Sequence, residues 1–199
     1  LPLNRDTVIT EMALPYGSYE AVALWWYSTE TESNFADVLG MPLDLENNLL
    51  PLGFSISRDK PVHDIDLYVN WNRVNRNASI TGTIHFNGPF PENTLATAVA
   101  AYQYKPTSDV HYLVWLKSID YSIGPASPDY SSIDNTYEFD LPVHQGRVEY
   151  IAVFWLPERA GLTDFSVLGT VTRPFSVAEG ETVTGIKIDA DWSNAEEDP

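Results

Sequence analysis

Ile80-Thr81-Gly82-Thr83-Ile84-His85-Phe86 is the stretch that decides the fold of this chain. Its apolar residues alternate with polar ones, and a period of two is typical of a β-strand with one buried face. The same alternation returns near the C-terminus, where the inward positions are Ile186, Ile188, Ala190 and Trp192. No segment carries a sustained apolar repeat of 3.6 residues. The sequence therefore predicts an all-β protein.

Five short patterns recur in the same order in the two halves of the chain. The clearest is Asp64–Trp71, which returns as Gly185–Trp192 with the same alternation and the same final Trp. The other four pairs are Phe54–Ile56 with Phe175–Val177, Val38–Gly40 with Val167–Gly169, Ala21–Trp25 with Ile151–Trp155 (in a register uncertain by one residue), and Leu14–Pro15 with Leu141–Pro142. Because the order is kept, we interpret the chain as a tandem duplication.

The second copy is longer than the first. Three more strand-like runs precede Leu141, namely Ile80–Phe86, Ala98–Tyr104 and Val110–Ile119, whereas only 13 residues precede Leu14. We therefore expect two β-sandwiches, of which the first lacks its N-terminal strands. The predicted division is an incomplete domain at 1–72, a polar linker at 73–77, a complete domain at 78–193 and an acidic tail at 194–199.

Two explanations of the short first copy stay open. The chain is a truncated or processed form that has lost these strands, or another chain supplies them. Half a sandwich exposes strand edges and an apolar face, which favours association unless something covers them. The sequence thus predicts self-association, or pairing with another protein chain that completes the first domain.

Several predicted strands are apolar on both faces. They are Ala21–Trp26, Ala98–Tyr102, Tyr112–Leu116 and Ile151–Leu156. One face fills the core, and the other must meet the long segments 28–56 and 156–177, a neighbouring domain or a second chain. The candidate binding residues, for such an interface or for stacking on a glycan, are Trp25, Trp26, Tyr27, Trp115 and Trp155.

Composition excludes several functions. The net charge of −17, from 28 acidic and 11 basic residues, argues against a nucleic-acid partner. The chain has no cysteine, and its four histidines lack metal-ligand spacing, so no metal or cofactor is expected. No nucleophile elbow or phosphate-binding loop occurs, which predicts a protein that is not an enzyme. No apolar run is long enough for membrane insertion.

Two motifs in the second half carry a resemblance to a known family. Ile80–Phe86 looks like the I-x-G-x-V-x-F first strand of transthyretin-like, carboxypeptidase-regulatory-like domains, and Tyr137–Pro142 followed by Tyr150–Val153 is similar to the middle of that group. The resemblance covers residues 78–192 well and 8–72 in part. It implies transthyretin-like or Ig-like sandwiches, which occur mostly as non-catalytic modules of secreted or surface proteins. Some relatives hydrolyse a urate derivative, but their His-containing and Tyr-Arg-Gly-Ser motifs do not occur here.

These observations together predict a non-enzymatic structural protein that is secreted or displayed on the cell surface, with its signal peptide absent from this chain. It would be a subunit of a larger assembly, which head-to-tail strand complementation would extend into a filament. The alternative is a carbohydrate-binding β-sandwich module.

Overall fold

The protein is all-β in a computed structural model, which describes residues 7–27, 38–44, 50–61, 64–69, 71–107, 115–121, 123–127, 134–158 and 165–195. The strands are β1 (Gly17–Tyr19), β2 (Leu24–Trp25), β3 (Val38–Gly40), β4 (Leu43–Asp44), β5 (Leu50–Pro51), β6 (Phe54–Ile56), β7 (Ala78–Asn87), β8 (Thr94–Tyr102), β9 (Leu116–Asp120), β10 (Thr136–Val143), β11 (Gly146–Pro157), β12 (Ser166–Val177) and β13 (Thr182–Asp191). Short 3₁₀ turns occupy Trp71–Arg73, Gly124–Ala126 and Trp192–Asn194.

Strands β7–β13 form two sheets that enclose one core. One sheet has the order β10-β7-β13, and the other has the order β12-β11-β8-β9. β7 is the central strand of the smaller sheet, antiparallel to β10 and parallel to β13. We call residues 78–194 the sandwich. The deciding stretch of sequence thus lies in the one strand of its sheet that has a neighbour on both edges.

The predicted inward positions of β7 and β13 fill the space between the sheets. Ile80, Ile84 and Phe86 are buried, and so are Ala190 near the end of β13 and Trp192 directly after it. Phe86 stacks on Trp192 with their ring centroids 4.8 Å apart. The alternation that the sequence shows is therefore confirmed as the core-facing pattern of this sheet.

The outer face of the larger sheet is also apolar and buried. Its cluster comprises Ala98, Ala100, Tyr102, Leu116, Ile119, Tyr150, Ala152 and Phe154. Phe165, which lies in the long segment 156–177, packs edge-on against Phe154 with a centroid distance of 4.9 Å. The second apolar face of this sheet is thus covered within the chain, at least in part by the predicted segment.

The first 73 residues form only small sheets in the described part of the chain. β1 pairs with β6, β2 with β3 and β4 with β5, each as an antiparallel pair. Residues 7–15 and 64–69 are described but lie in no strand. This N-terminal part contacts the sandwich where Arg73 Nη2 donates a hydrogen bond to the carbonyl oxygen of Leu116 at 2.9 Å. The tandem-domain division stays a prediction.

Candidate assembly surface

The pairing of β1, β2, β3 and β6 repeats the pairing of β11 with β12. In the sandwich, β11 begins at Gly146 and runs antiparallel to β12, whose two ends carry the repeated patterns Val167–Gly169 and Phe175–Val177. In the N-terminal part, β1 and β2 take the place of β11, and β3 and β6 take the place of the two ends of β12. The equivalent pairs are Gly17–Ile56 and Gly146–Val177, Tyr19–Phe54 and Val148–Phe175, and Leu24–Gly40 and Val153–Gly169. The paired strands β4 and β5 lie between β3 and β6 in the chain, and β12 contains no equivalent of them.

A β-bulge also recurs at the equivalent position. The register shifts between Leu24 and Trp25 in one copy and between Val153 and Phe154 in the other. Leu24 therefore corresponds to Val153 and Trp26 to Trp155. The alignment of Ala21–Trp25 with Ile151–Trp155, whose register was uncertain by one residue, shifts by that one residue, because a run that is apolar on both faces does not define its own register.

The two copies differ around the smaller sheet. In the sandwich, β7 lies between β10 and β13. The repeat makes residues 9–15 the counterpart of β10 and residues 64–69 the counterpart of β13, and neither of these described segments is a strand. Both segments would flank a counterpart of β7. An extended segment without a neighbouring strand has no ladder in which to place its backbone N–H and C=O groups.

Three apolar positions in or next to these segments are exposed although their counterparts are buried, whereas Leu14, Ile65 and Leu67 are half-buried. Met12, Val69 and Trp71 are 64%, 37% and 46% exposed. The equivalent residues of the sandwich, Phe139, Ala190 and Trp192, are 4%, 0% and 4% exposed. We call Met12, Val69 and Trp71 the open core positions. Because Asp64–Trp71 repeats the alternation of Gly185–Trp192, the sequence predicts that Val69 and Trp71 face inward. The structure leaves them exposed because no strand lies over them in the described residues.

Three of the predicted binding residues lie in and after β2. Trp25 is 41% exposed and Tyr27 is 74% exposed. Trp26 is half-buried and meets Trp71 edge-on, with 5.8 Å between the ring centroids. The structure therefore places Trp26 beside one of the open core positions, while Trp25 and Tyr27 present aromatic surface to solvent.

The other two predicted binding residues belong to the sandwich. Trp155 is 1% exposed, and its Nε1–H donates a hydrogen bond to Thr94 Oγ1 at 2.7 Å, so it is a core residue. Trp115 is half-buried, packs against Tyr104 with a centroid distance of 5.0 Å and lines a cleft beside the N-terminal part. The five predicted residues therefore do not form one site.

Sequence reasoning missed the charged residues of that cleft. Lys117 is 2% exposed, and its Nζ lies 3.3 Å from the carbonyl oxygens of Gln145 and Arg147. His144 also lines the cleft, and its buried Nδ1 has no hydrogen-bond partner among the described residues. A signal was present, since Lys117 follows the apolar run Val114-Trp115-Leu116 in a strand predicted to be buried. A charge at such a position is rare without a partner.

Neither a cluster of metal ligands nor a known relative indicates a function for the described residues. Among the described residues, no group of three or more His, Cys, Asp or Glu side chains could hold a metal ion. The described part of the chain also contains no helix with the length and apolar character needed to cross a membrane. No protein-family model, curated protein or solved structure matches the chain. The transthyretin-like resemblance stays a prediction.

Proposed function

We propose that this protein is a non-enzymatic structural subunit whose N-terminal part is completed by a β-strand of another chain. The observation that carries the proposal is that residues 9–15 and 64–69, which the repeat makes the counterparts of the two strands flanking β7, lie in no strand. A secreted or cell-surface location and a transthyretin-like ancestry are parts of the same proposal, supported by the β7 motif.

An added strand would gain hydrogen bonds on both edges. β7 pairs with β10 from Ala78 to His85 and with β13 from Ser79 to Asn87. A donor strand would pair antiparallel with residues 9–15 and parallel with residues 64–69 in the same way. It would also cover the open core positions, and fully burying a large apolar side chain stabilises by about 1.5–3 kcal/mol. Backbone pairing and apolar burial would thus occur together, as in known strand-addition complexes.

The sandwich also indicates what the donor strand must look like. A Cβ built on Gly82 would overlap the carbonyl oxygen of Ile186 and lie 2.8 Å from the Phe139 ring. Ile65 is the counterpart of Ile186. We therefore expect a donor with apolar residues at alternate positions and a glycine opposite Ile65. β7 of a second copy has this pattern but is already paired on both edges within its own sheet, so it would have to leave that sheet to act as the donor.

A peptide complementation experiment tests the proposal. The probe is a synthetic peptide with the β7 sequence Ala78–Asn87, added to the full chain while tryptophan fluorescence and sedimentation are followed. The matched control peptide carries Gly82→Val. We expect the first peptide to bind with a blue shift of the tryptophan emission that Trp71→Phe removes, and the control to bind at least about tenfold more weakly, because its side chain would meet the backbone of the acceptor.

Two results would overturn the proposal. One is equal binding, or no binding, of both peptides. The other is that light scattering shows a single 22.3-kDa monomer in which, before any peptide is added, Trp71→Phe removes the emission of a buried indole and not of an exposed one. That result would mean that residues 7–73 cover the open core positions themselves.

A carbohydrate-binding module is the second candidate, favoured by the exposure of Trp25 and Tyr27. Alternate residues of an extended chain point to the same side, so these two rings can offer a flat stacking surface. We expect soluble polysaccharides to shift the tryptophan fluorescence, and Trp25→Ala to abolish the shift while Trp115→Ala retains it. A polysaccharide response that survives Trp25→Ala would contradict this candidate.

A further inference from the structure

A cleft lies between the N-terminal part and the sandwich. Its volume is about 220 Å³, which is the space of about seven water molecules at the ~30 Å³ each occupies in the liquid. Leu39, Met41 and Leu43 line it from the N-terminal part, and Trp115 and Leu116 line it from the sandwich. Clefts between packed units are among the places where proteins preferentially bind small molecules.

Three of the polar residues that line the cleft are basic, and Tyr68 and Gln103 are neutral. Arg73 comes from the N-terminal part, Lys117 from β9 and His144 from the connection between β10 and β11. The chain has 28 acidic residues, yet none of the described residues that line the cleft is acidic. Arg73, Lys117 and His144 are therefore gathered at one place in a strongly acidic protein.

Lys117 is the most unusual of these groups. Its side chain is almost entirely buried, and its ammonium contacts two backbone carbonyl oxygens at the long distance of 3.3 Å. An ammonium has three donor hydrogens, and placing it in a protein interior is costly unless an opposite charge compensates it. Burial lowers the pKa of Lys117 to about 8, with no opposing contribution from a carboxylate.

His144 adds an unpaired polar atom to the same cleft. Its Nδ1 is buried, and no described residue forms a hydrogen bond with it. Burial and the neighbouring charges of Lys117, Arg73 and Arg76 lower the pKa of His144 to about 4, so the ring is neutral at pH 7. A neutral imidazole can carry its proton on Nδ1 and donate it to an anion.

We propose that this cleft binds a small organic anion, with its carboxylate held by the Lys117 ammonium and by His144 Nδ1, and its apolar body lying against Leu39, Met41 and Trp115. The anion supplies the negative charge that the lining residues lack. A carboxylate accepts hydrogen bonds from both donors at once, and hydrogen bonds between charged groups are the strong ones. The apolar lining selects an anion with a hydrophobic body over a hydrated inorganic ion.

Titration calorimetry on the full chain tests this proposal with benzoate as the probe. Benzamide is the neutral control of nearly the same shape, and inorganic phosphate is the control for charge without an apolar body. We expect benzoate to bind about tenfold or more tightly than benzamide, because a hydrogen bond to a charged group is worth more than that factor. We expect phosphate to bind more weakly than benzoate.

Two matched variants locate the site. Lys117→Met keeps the length of the side chain and removes its charge, and Lys187→Met removes an exposed charge from β13. We expect Lys117→Met to lose the preference for benzoate over benzamide, and Lys187→Met to keep it. Equal binding of the two probes by the wild-type chain would overturn the proposal, and so would a preference that survives Lys117→Met. The wild-type comparison decides even if the variant does not fold.

Discussion

Gly40 lies directly against the backbone carbonyl of Tyr68, so that a Cβ at residue 40 would overlap the carbonyl oxygen. Gly169 lies against the carbonyl of Asp189 in the same manner. The repeat makes Gly40 the counterpart of Gly169 and Tyr68 the counterpart of Asp189. Two close approaches of this kind at equivalent positions show that the two parts of the chain share backbone geometry as well as sequence pattern.

We predict that Gly40→Ala and Gly169→Ala both destabilise the protein. The added methyl group meets backbone, which cannot rotate away, and such overpacking costs about 1–3 kcal/mol. The control is Gly17→Ala, where a Cβ meets nothing within 4 Å. Urea denaturation measures the three free energies of unfolding, and a Gly169→Ala protein as stable as Gly17→Ala would show that the close approach is not enforced.

The two repeated tryptophans should respond differently to truncation. Trp192 is buried and stacks on Phe86, so we predict that Trp192→Ala costs about 3–5 kcal/mol. Trp71 is 46% exposed and contacts Trp26 only at its edge, so Trp71→Ala should cost about 1 kcal/mol or less in the isolated chain. Thermal unfolding checks both values. Equal losses would mean that Trp71 is already covered as Trp192 is.

Lys117 should destabilise the folded protein in the absence of an anion. Its pKa is lowered to about 8, whereas an unfolded lysine titrates near 10.5. Between these values the unfolded state binds more protons, so the free energy of unfolding rises as the pH rises from about 8 to 10.5. We predict that Lys117→Met removes this rise and stabilises the protein at pH 7 by up to about 3 kcal/mol.

Denaturation of the wild type and of Lys117→Met between pH 7 and 11 measures the difference. Comparing the two chains cancels the titration of other groups, including Tyr150, whose pKa is raised by burial. A difference that does not change between pH 8 and 10.5 would contradict the prediction.

His144 predicts a second pH dependence, at acidic pH. In the folded protein the pKa of the His144 ring is lowered to about 4, mainly by burial and further by the charges of Lys117, Arg73 and Arg76. The unfolded ring takes up its proton near pH 6.5, so stability is lost as the pH falls from about 6.5 to 4, by up to about 3 kcal/mol. We expect His144→Gln to flatten this part of the stability curve, which chemical denaturation at several pH values would show.

The strands of the sandwich could be predicted because their pattern is local, although the same alternation in Asp64–Trp71 did not make residues 64–69 a strand. In β7, Ile80, Ile84 and Phe86 alternate with polar residues, and one face of the strand had to be buried. The register of the repeat around Trp25 could not be predicted, since that run is apolar on both faces. Only the bulges after Leu24 and Val153 define it.

The cleft could not be predicted because its polar residues come from three distant parts of the chain. Arg73, Lys117 and His144 belong to no motif, and they meet only when the N-terminal part packs against β9. Trp155 and Trp25 illustrate the same limit in another way. Both are aromatic residues of strands with two apolar faces, and only their packing makes one a core residue and leaves the other 41% exposed.

By itself, then, the sequence determined the all-β fold and the repeated pattern, because side-chain alternation and turn residues act between near neighbours. The tertiary structure alone decided which of two equivalent side chains is buried. Trp71 and Trp192 end the same pattern, and the difference between them is the presence of β7 beside one of them. The burial of a side chain depends on the strand that lies beside it, and that strand is distant in sequence.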